Sequence, residues 1–275
     1  NNVVIETTGL AEPGPVIQAF LSEPTLDGLY RIVNVITVVD AVNWEATATK
    51  YDEALRQVAL ADDLLISKLD LKGDASFATL SAELQAMNPA AKISRANFSA
   101  EAVAPLLMHK GFDAADPMAD PSEWLSIATY DAYENKIADA DGVKDQDVPS
   151  HLAAQGIESF VLTRSTPLAR EELQFLLDGI SQNLGPSLLR VKGLINILEE
   201  PGTPAVVQGV QHLLHTMTWL EKWPTKDERT RIVFITQGIA RSALKDIIEL
   251  LDRVCKRTFE ARGRGHLVRE RAENS

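Results

Sequence analysis

Two short segments hold residues whose types and spacing could do chemistry. The first is Val3-Val4-Ile5-Glu6-Thr7-Thr8-Gly9-Leu10-Ala11-Glu12-Pro13. A carboxylate directly after a short apolar strand stands at the strand's C-terminal end, where open α/β sheets gather their ligands. A glycine three residues later lets a backbone N–H approach a phosphate without a Cβ in the way. Glu6 and Gly9 thus fit a segment that manages Mg²⁺ and a terminal phosphate. A strand end followed by a plain turn fits the same letters. The second segment is Leu64-Leu65-Ile66-Ser67-Lys68-Leu69-Asp70. A carboxylate at Asp70 could accept two hydrogen bonds, from the N1–H and the exocyclic amine of a guanine. Adenine offers no such pair. The stem of Lys68 could cover one face of the ring, and Ser67 could tie the loop to its neighbours.

This second spacing is the Ser/Asn-Lys-x-Asp arrangement of guanine-nucleotide-binding proteins, and it breaks the tie left by the first segment. A third stretch, Asn88-Pro89-Ala90-Ala91-Lys92-Ile93-Ser94, reads either as a loop completing a base pocket or as a helix stop before a strand.

The elements that must position these residues follow from periodicity. Runs at 3–5, 32–39, 64–66 and 91–93 read as buried strands. Helical patterns lie between them at 15–21, 53–61 and 79–87. Strands alternating with helices imply parallel pairing with crossover helices. Residues 116–155 lose periodicity among scattered Asp and Pro and read as an acidic linker. The pattern restarts at Gly156 with strands at 157–162, 188–198, 205–214 and 231–236. Helices are expected at 168–184, stopped by Gly185-Pro186, and at 242–254, with Ser242 as N-cap. The expected division is a parallel α/β domain over 1–115, the linker, a smaller α+β domain over 156–258 able to fold alone, and a basic tail over 259–275.

Composition narrows the class. The chain has 275 residues, 45% hydrophobic and 24% charged, which excludes wholesale disorder. No apolar run approaches the length of a membrane span. There are 27 Lys and Arg against 39 Asp and Glu, a net charge of −12, which disfavours a nucleic-acid partner. Lys256, Arg257, Arg262, Arg264, Arg269 and Arg271 make the end basic, which reads as a solvated terminus. The single cysteine, Cys255, cannot form an intrachain disulfide and reads as a small core residue. Together with the lack of a basic start and cleavage site, this leads us to expect a cytoplasmic protein.

At this point a resemblance becomes specific. Glu6-Thr7-Thr8-Gly9-Leu10-Ala11-Glu12-Pro13, Val38-Val39-Asp40-Ala41 and Ser67-Lys68-Leu69-Asp70 together resemble the CobW family of metal-associated P-loop GTPases. Leu189-Arg190-Val191-Lys192-Gly193 looks like the Arg-x-Lys-Gly segment of the family's C-terminal domain. The resemblance implies a GTPase domain joined to a smaller α+β domain, with GTP and Mg²⁺ as cofactors. It implies coupling of GTP hydrolysis to delivery of zinc or cobalt to a client protein. By position, Glu6 would touch Mg²⁺ through water and Gly9 would sense the terminal phosphate. Ser67, Lys68 and Asp70 would hold guanine, while Asp40 would serve either a switch or a turn. Homo-oligomers are possible in such a reading.

Two departures accompany the match. No G-x-x-x-x-G-K-[ST] loop and no Cys-x-Cys-Cys segment occurs in the chain. The chain therefore reads as the C-terminal portion of a longer protein, with the sheet's first strand absent and no GTPase activity of its own. A non-catalytic interaction module is the alternative. His109, His151, His212, His215 and His266 form no ligand pattern, and each reads as an ordinary structural histidine.

Overall fold

The computed structural model describes residues 2–108, 156–254 and 257, apart from residues 24, 27, 28, 31, 74, 212, 215–217 and 241. The acidic linker, the basic tail, Cys255 and all five histidines lie outside the described residues.

The first sheet is parallel. Strands β1 (Ile36–Asp40), β2 (Asp63–Ser67) and β3 (Lys92–Arg95) stand in the order β1-β2-β3. The register pairs Ile36 with Asp63 and Asp40 with Ser67, then Asp63 with Lys92 and Ile66 with Arg95. Helix α1 (Pro13–Ser22) precedes the sheet. Helices α2 (Trp44–Lys50) and α3 (Asp52–Leu60) connect β1 to β2. Helices α4 (Leu69–Lys72) and α5 (Ala75–Met87) connect β2 to β3, and α6 (Ala100–Leu107) follows. The core sets Leu55, Val58 and Ala59 of α3 and Leu80, Leu84 and Met87 of α5 against Val39, Leu64 and Ile66. All five residues of β2 are buried, as a central parallel strand requires.

Two strand expectations are corrected. The run at 32–39 forms a strand only from Ile36. Before it, the Val35 carbonyl accepts from the amides of Asp62 (2.7 Å) and Asp63 (3.2 Å). The Val35 amide donates to the Asp62 carboxylate at 3.1 Å. These bonds tie Val35 to the turn before β2, and the one from Asp63 opens the parallel ladder that β1 continues from Ile36. Val3-Val4-Ile5 is no strand either. It has no regular secondary structure and stands exposed. A β-branched run is stabilised as a strand only by a partner's backbone and side chains, and no described strand pairs with it.

The second sheet is antiparallel. It holds β4 (Ile157–Arg164), β5 (Leu188–Ile195), β6 (Ala205–Val210), β7 (Leu213–Leu214), β8 (Thr218–Trp219) and β9 (Thr230–Gln237). The order is β4-β9-β5-β6-β7, with β8 on β6. Helix α7 (Arg170–Leu184) and helix α8 (242–254) cover one face. Leu173, Leu176, Leu177 and Ile180 of α7 and Leu244 and Ile248 of α8 meet Phe160, Leu162, Val191, Ile232 and Phe234 there. Gly185 and Pro186 end α7 in a 3₁₀ turn, as expected. Ser242 stands within α8 instead of capping it, and the Leu244 amide already donates to the Ala240 carbonyl at 2.9 Å with helical spacing.

The other face turns toward the first sheet. Val161 and Val233 pack with Ala90, and Ile157, Leu189 and Ile235 enter the first sheet's core. The β5–β9 register shifts between Leu188 and Arg190. This bulge turns both Leu189 and Arg190 to the inner face, where strict alternation would allow only one. Gly193 permits the close approach of β9. A Cβ there would lie 3.1 Å from Ile232 Cγ1 and 3.2 Å from the Arg231 carbonyl oxygen. No described helix is long and apolar enough to cross a membrane.

Candidate nucleotide site

Parallel pairing brings the C-terminal ends of β1, β2 and β3 to one edge of the sheet. That edge carries Asp40, the loop Ser67-Lys68-Leu69-Asp70, and Arg95. Ser67 is buried, and its hydroxyl donates to the Val39 carbonyl at 3.1 Å, tying the loop to β1. Lys68 turns the chain with φ of 58°, a left-handed backbone uncommon outside glycine. That turn buries Leu69 in the core and leaves Lys68 and Asp70 exposed.

Lys68 Nζ lies 2.8 Å from Asp40 Oδ2. Asp40 also accepts from the amides of Val42 (2.9 Å) and Asn43 (3.3 Å) and from Asn43 Nδ2 (2.7 Å). Burial would raise the Asp40 carboxyl, but these bonds, led by that from Lys68, bring it down to about 2. It is therefore ionised throughout the physiological range.

Glu6 and Gly9 are not brought to this edge by any described contact. The Gly9 carbonyl accepts from Gln57 Nε2 at 3.2 Å, and the Gln57 carbonyl accepts from the Thr37 hydroxyl at 2.9 Å. Thr37 is near the start of β1, three residues or about 10 Å of strand from Asp40. Glu12 pairs with Arg56 at 2.6 Å, and Arg56 Nε donates to Gln237 Oε1 of β9 at 2.6 Å. No three His, Cys, Asp or Glu side chains gather into a metal cage among the described residues. Glu6 is exposed, and no such cluster includes it among the described residues.

Asn88 corrects the base-pocket reading of 88–94. It is fully buried at the N-terminal end of β3, opposite the loop edge. Its Nδ2 donates to the carbonyls of Val58 (2.8 Å), Ala59 (3.2 Å) and Ala61 (2.9 Å). The side chain closes the end of α3, so the helix-stop reading holds. The residues after β3 lie instead beside the loop, where the Ala96 amide donates to the Ile66 carbonyl at 2.8 Å. Arg95 there sits over the Phe77 ring at 4.6 Å. Sequence reasoning missed this pair, because only the parallel register shows that β3 ends beside β2.

A second missed cluster lies where the sheets meet. Asp62, just before β2, receives Arg190 and Lys192 from β5, the latter at 2.7 Å. Arg190 also donates to the Leu60 carbonyl. Burial would raise Asp62, but the charges of Arg190 and Lys192 lower it to about 2. Burial and the Arg190 charge push Lys192 down to about 8, against the pull of Asp62.

Comparison with known proteins agrees with this architecture. Residues 1–95 match the model of the CobW/HypB/UreG nucleotide-binding domain, and residues 157–251 match that of the cobalamin synthesis protein cobW C-terminal domain. Among curated proteins, the zinc chaperone YjiA of Escherichia coli is 28% identical over 86% of this chain and 66% of its own length. The zinc-regulated GTPase metalloprotein activator 1 of Schizosaccharomyces pombe is 24% identical over 88% of this chain and 61% of its own. The chain thus spans about two thirds of these relatives. The crystal structure of Zn(II)-bound YjiA GTPase from E. coli superposes with a TM-score of 0.65 at 23% identity, covering 88% of this chain and 68% of that one. A Zn(II)-bound triple mutant of the same GTPase gives 0.66 at 24%. The parallel nucleotide-binding half and the antiparallel half, each matched by its own family model, make this chain a member of the CobW family.

Proposed function

We propose that this chain forms the C-terminal portion of a GTP-binding protein that couples GTP hydrolysis to transition-metal delivery. The carrying observation is the loop Ser67-Lys68-Leu69-Asp70, standing at the ligand end of a buried parallel strand beside Asp40. Asp70 accepts from the guanine N1–H and amine, and the Lys68 stem lines one face of the ring. Zinc is the cargo favoured by the relatives, one named a zinc chaperone and one a zinc-regulated activator; cobalt is the alternative in the wider family. The recipient is a client metalloprotein.

The phosphate end of the site is proposed to come from sequence upstream of Asn1. The outer edge of β1 carries no partner among the described strands, and Val38 on it is 54% exposed. An unpaired edge suits an inserted strand. Such a strand would bring a phosphate loop and draw Glu6 and Gly9 toward the terminal phosphate and Mg²⁺.

The base reading is tested by Asp70→Asn in the full encoded protein. Two charge-assisted hydrogen bonds at about 1.5–3 kcal/mol each are at stake. The variant is expected to lose GTP affinity by roughly a hundredfold and to gain affinity for xanthosine triphosphate, whose extra carbonyl suits an amide donor. An unchanged preference in a binding titration rejects the role.

A further inference from the structure

Lys68 is the member of the loop with the most freedom to stand in the wrong place. Its stem has four rotatable carbons and an exposed tip. Yet here both ends are fixed. At the root, the left-handed backbone sets the direction in which the stem leaves the chain. At the tip, Nζ is held 2.8 Å from Asp40 Oδ2. Asp40 is itself immobilised by two amides and the Asn43 side chain in the turn after β1. The register pairs Asp40 directly with Ser67, so the anchor stands one strand away from the loop it holds.

Fold stability is a poor reason for this construction. The Lys68 side chain is 51% exposed, and exposed ion pairs contribute little. Preorganisation is a better one. A long side chain ordered before the ligand arrives does not lose that freedom on binding. We infer that Asp40 is a positioning residue for the base, stretching the Lys68 stem between two fixed points so that it forms one wall of the guanine site in advance. The inference rests on the guanine reading above and adds to it the group that sets the wall.

The test is a titration of the full encoded protein with fluorescently labelled GDP. Asp40→Asn keeps an oxygen for the Val42 and Asn43 amides while removing the charge that holds Lys68. It is expected to weaken GDP about fivefold, with little change in melting temperature. Lys68→Met keeps an unbranched apolar stem without the ammonium. In that background Asp40→Asn is expected to cost less than about twofold, because the coupling it acts through is gone. An equal loss in both backgrounds would overturn the inference, as would an unchanged affinity. Tighter binding of Asp40→Asn would do so too, since it would mean that the carboxylate acts only by repelling the phosphates. If Asp70→Asn switches base preference while Asp40→Asn is silent, only this inference falls. If the wild-type protein binds no guanine nucleotide, the parent reading falls and takes this one with it.

Discussion

Buried polar side chains in this protein do different work from exposed ones. Asn88 is fully buried and satisfies three carbonyls at the end of α3, while its Oδ1 accepts from the Ala90 amide at 3.2 Å. Asn88→Ala would take this donor from all three carbonyls in a dry environment, although the Val58 carbonyl keeps the Ala61 amide at 3.3 Å. A loss of about 2–4 kcal/mol is expected, read as a lower urea midpoint with an unchanged slope. Because Asn88 stands at the sheet end opposite Asp70, the base preference of any folded variant should be retained. Gly193 is a second such position. Gly193→Ala would press a methyl against Ile232 and the Arg231 carbonyl, and overpacking of this kind costs about 1–3 kcal/mol. A variant as stable as wild type would show that β9 can move away.

At the scale of elements, β2 joins two things that sequence spacing keeps apart. Its C-terminal end carries the Ser67–Asp70 loop, and its N-terminal end follows Asp62, clasped by Arg190 and Lys192 of β5. Asp62→Asn would remove the carboxylate that the buried Arg190 and Lys192 share, an expected loss of about 3–5 kcal/mol. The pH dependence has a definite sign. The Asp62 carboxyl falls from 3.8 to about 2 on folding. Its stabilisation is therefore fully present above about pH 4 and is lost as the pH falls through 2. Integrated over that window it amounts to about 2 kcal/mol. Urea unfolding at pH 6 and pH 2 should show wild type losing that much more than Asp62→Asn; parallel losses would deny Asp62 its role.

For the whole molecule, the two sheets share core residues. Ile157, Leu189 and Ile235 belong to the first sheet's cluster although they lie on β4, β5 and β9. Residues 156–254 expressed alone would keep α7 and α8 on one face but bare the other to water. Exposed apolar faces associate, so the fragment is expected to elute above monomer size in gel filtration. A well-behaved monomer would show that the inner face tolerates solvent. Hydrolysis belongs to this scale as well. The 275 residues contain no phosphate loop, so they are expected to turn over GTP at least about a hundredfold more slowly than a form carrying such a loop upstream. Comparable rates would mean that the catalytic groups have been misplaced.

Much of this architecture was legible in the residues. Period-2 and 3.6-residue patterns locate β2, β3, β4, β9, α3, α5 and α7 within a few positions, because burial on one face imposes those periods directly. The Ser67-to-Asp70 loop was legible because its chemistry is local: four consecutive residues at one strand end need no distant partner to be recognised. Val3-Val4-Ile5 was misread for the opposite reason, since β-branched residues state a preference that only a neighbouring strand can fulfil. The Asp40–Lys68 pair, the Asp62–Arg190–Lys192 cluster and the three carbonyls around Asn88 join residues up to 130 positions apart. Their separation in sequence carries no trace of contact. Strand register and the packing of one sheet on the other bring them together, and so only the tertiary structure decided them.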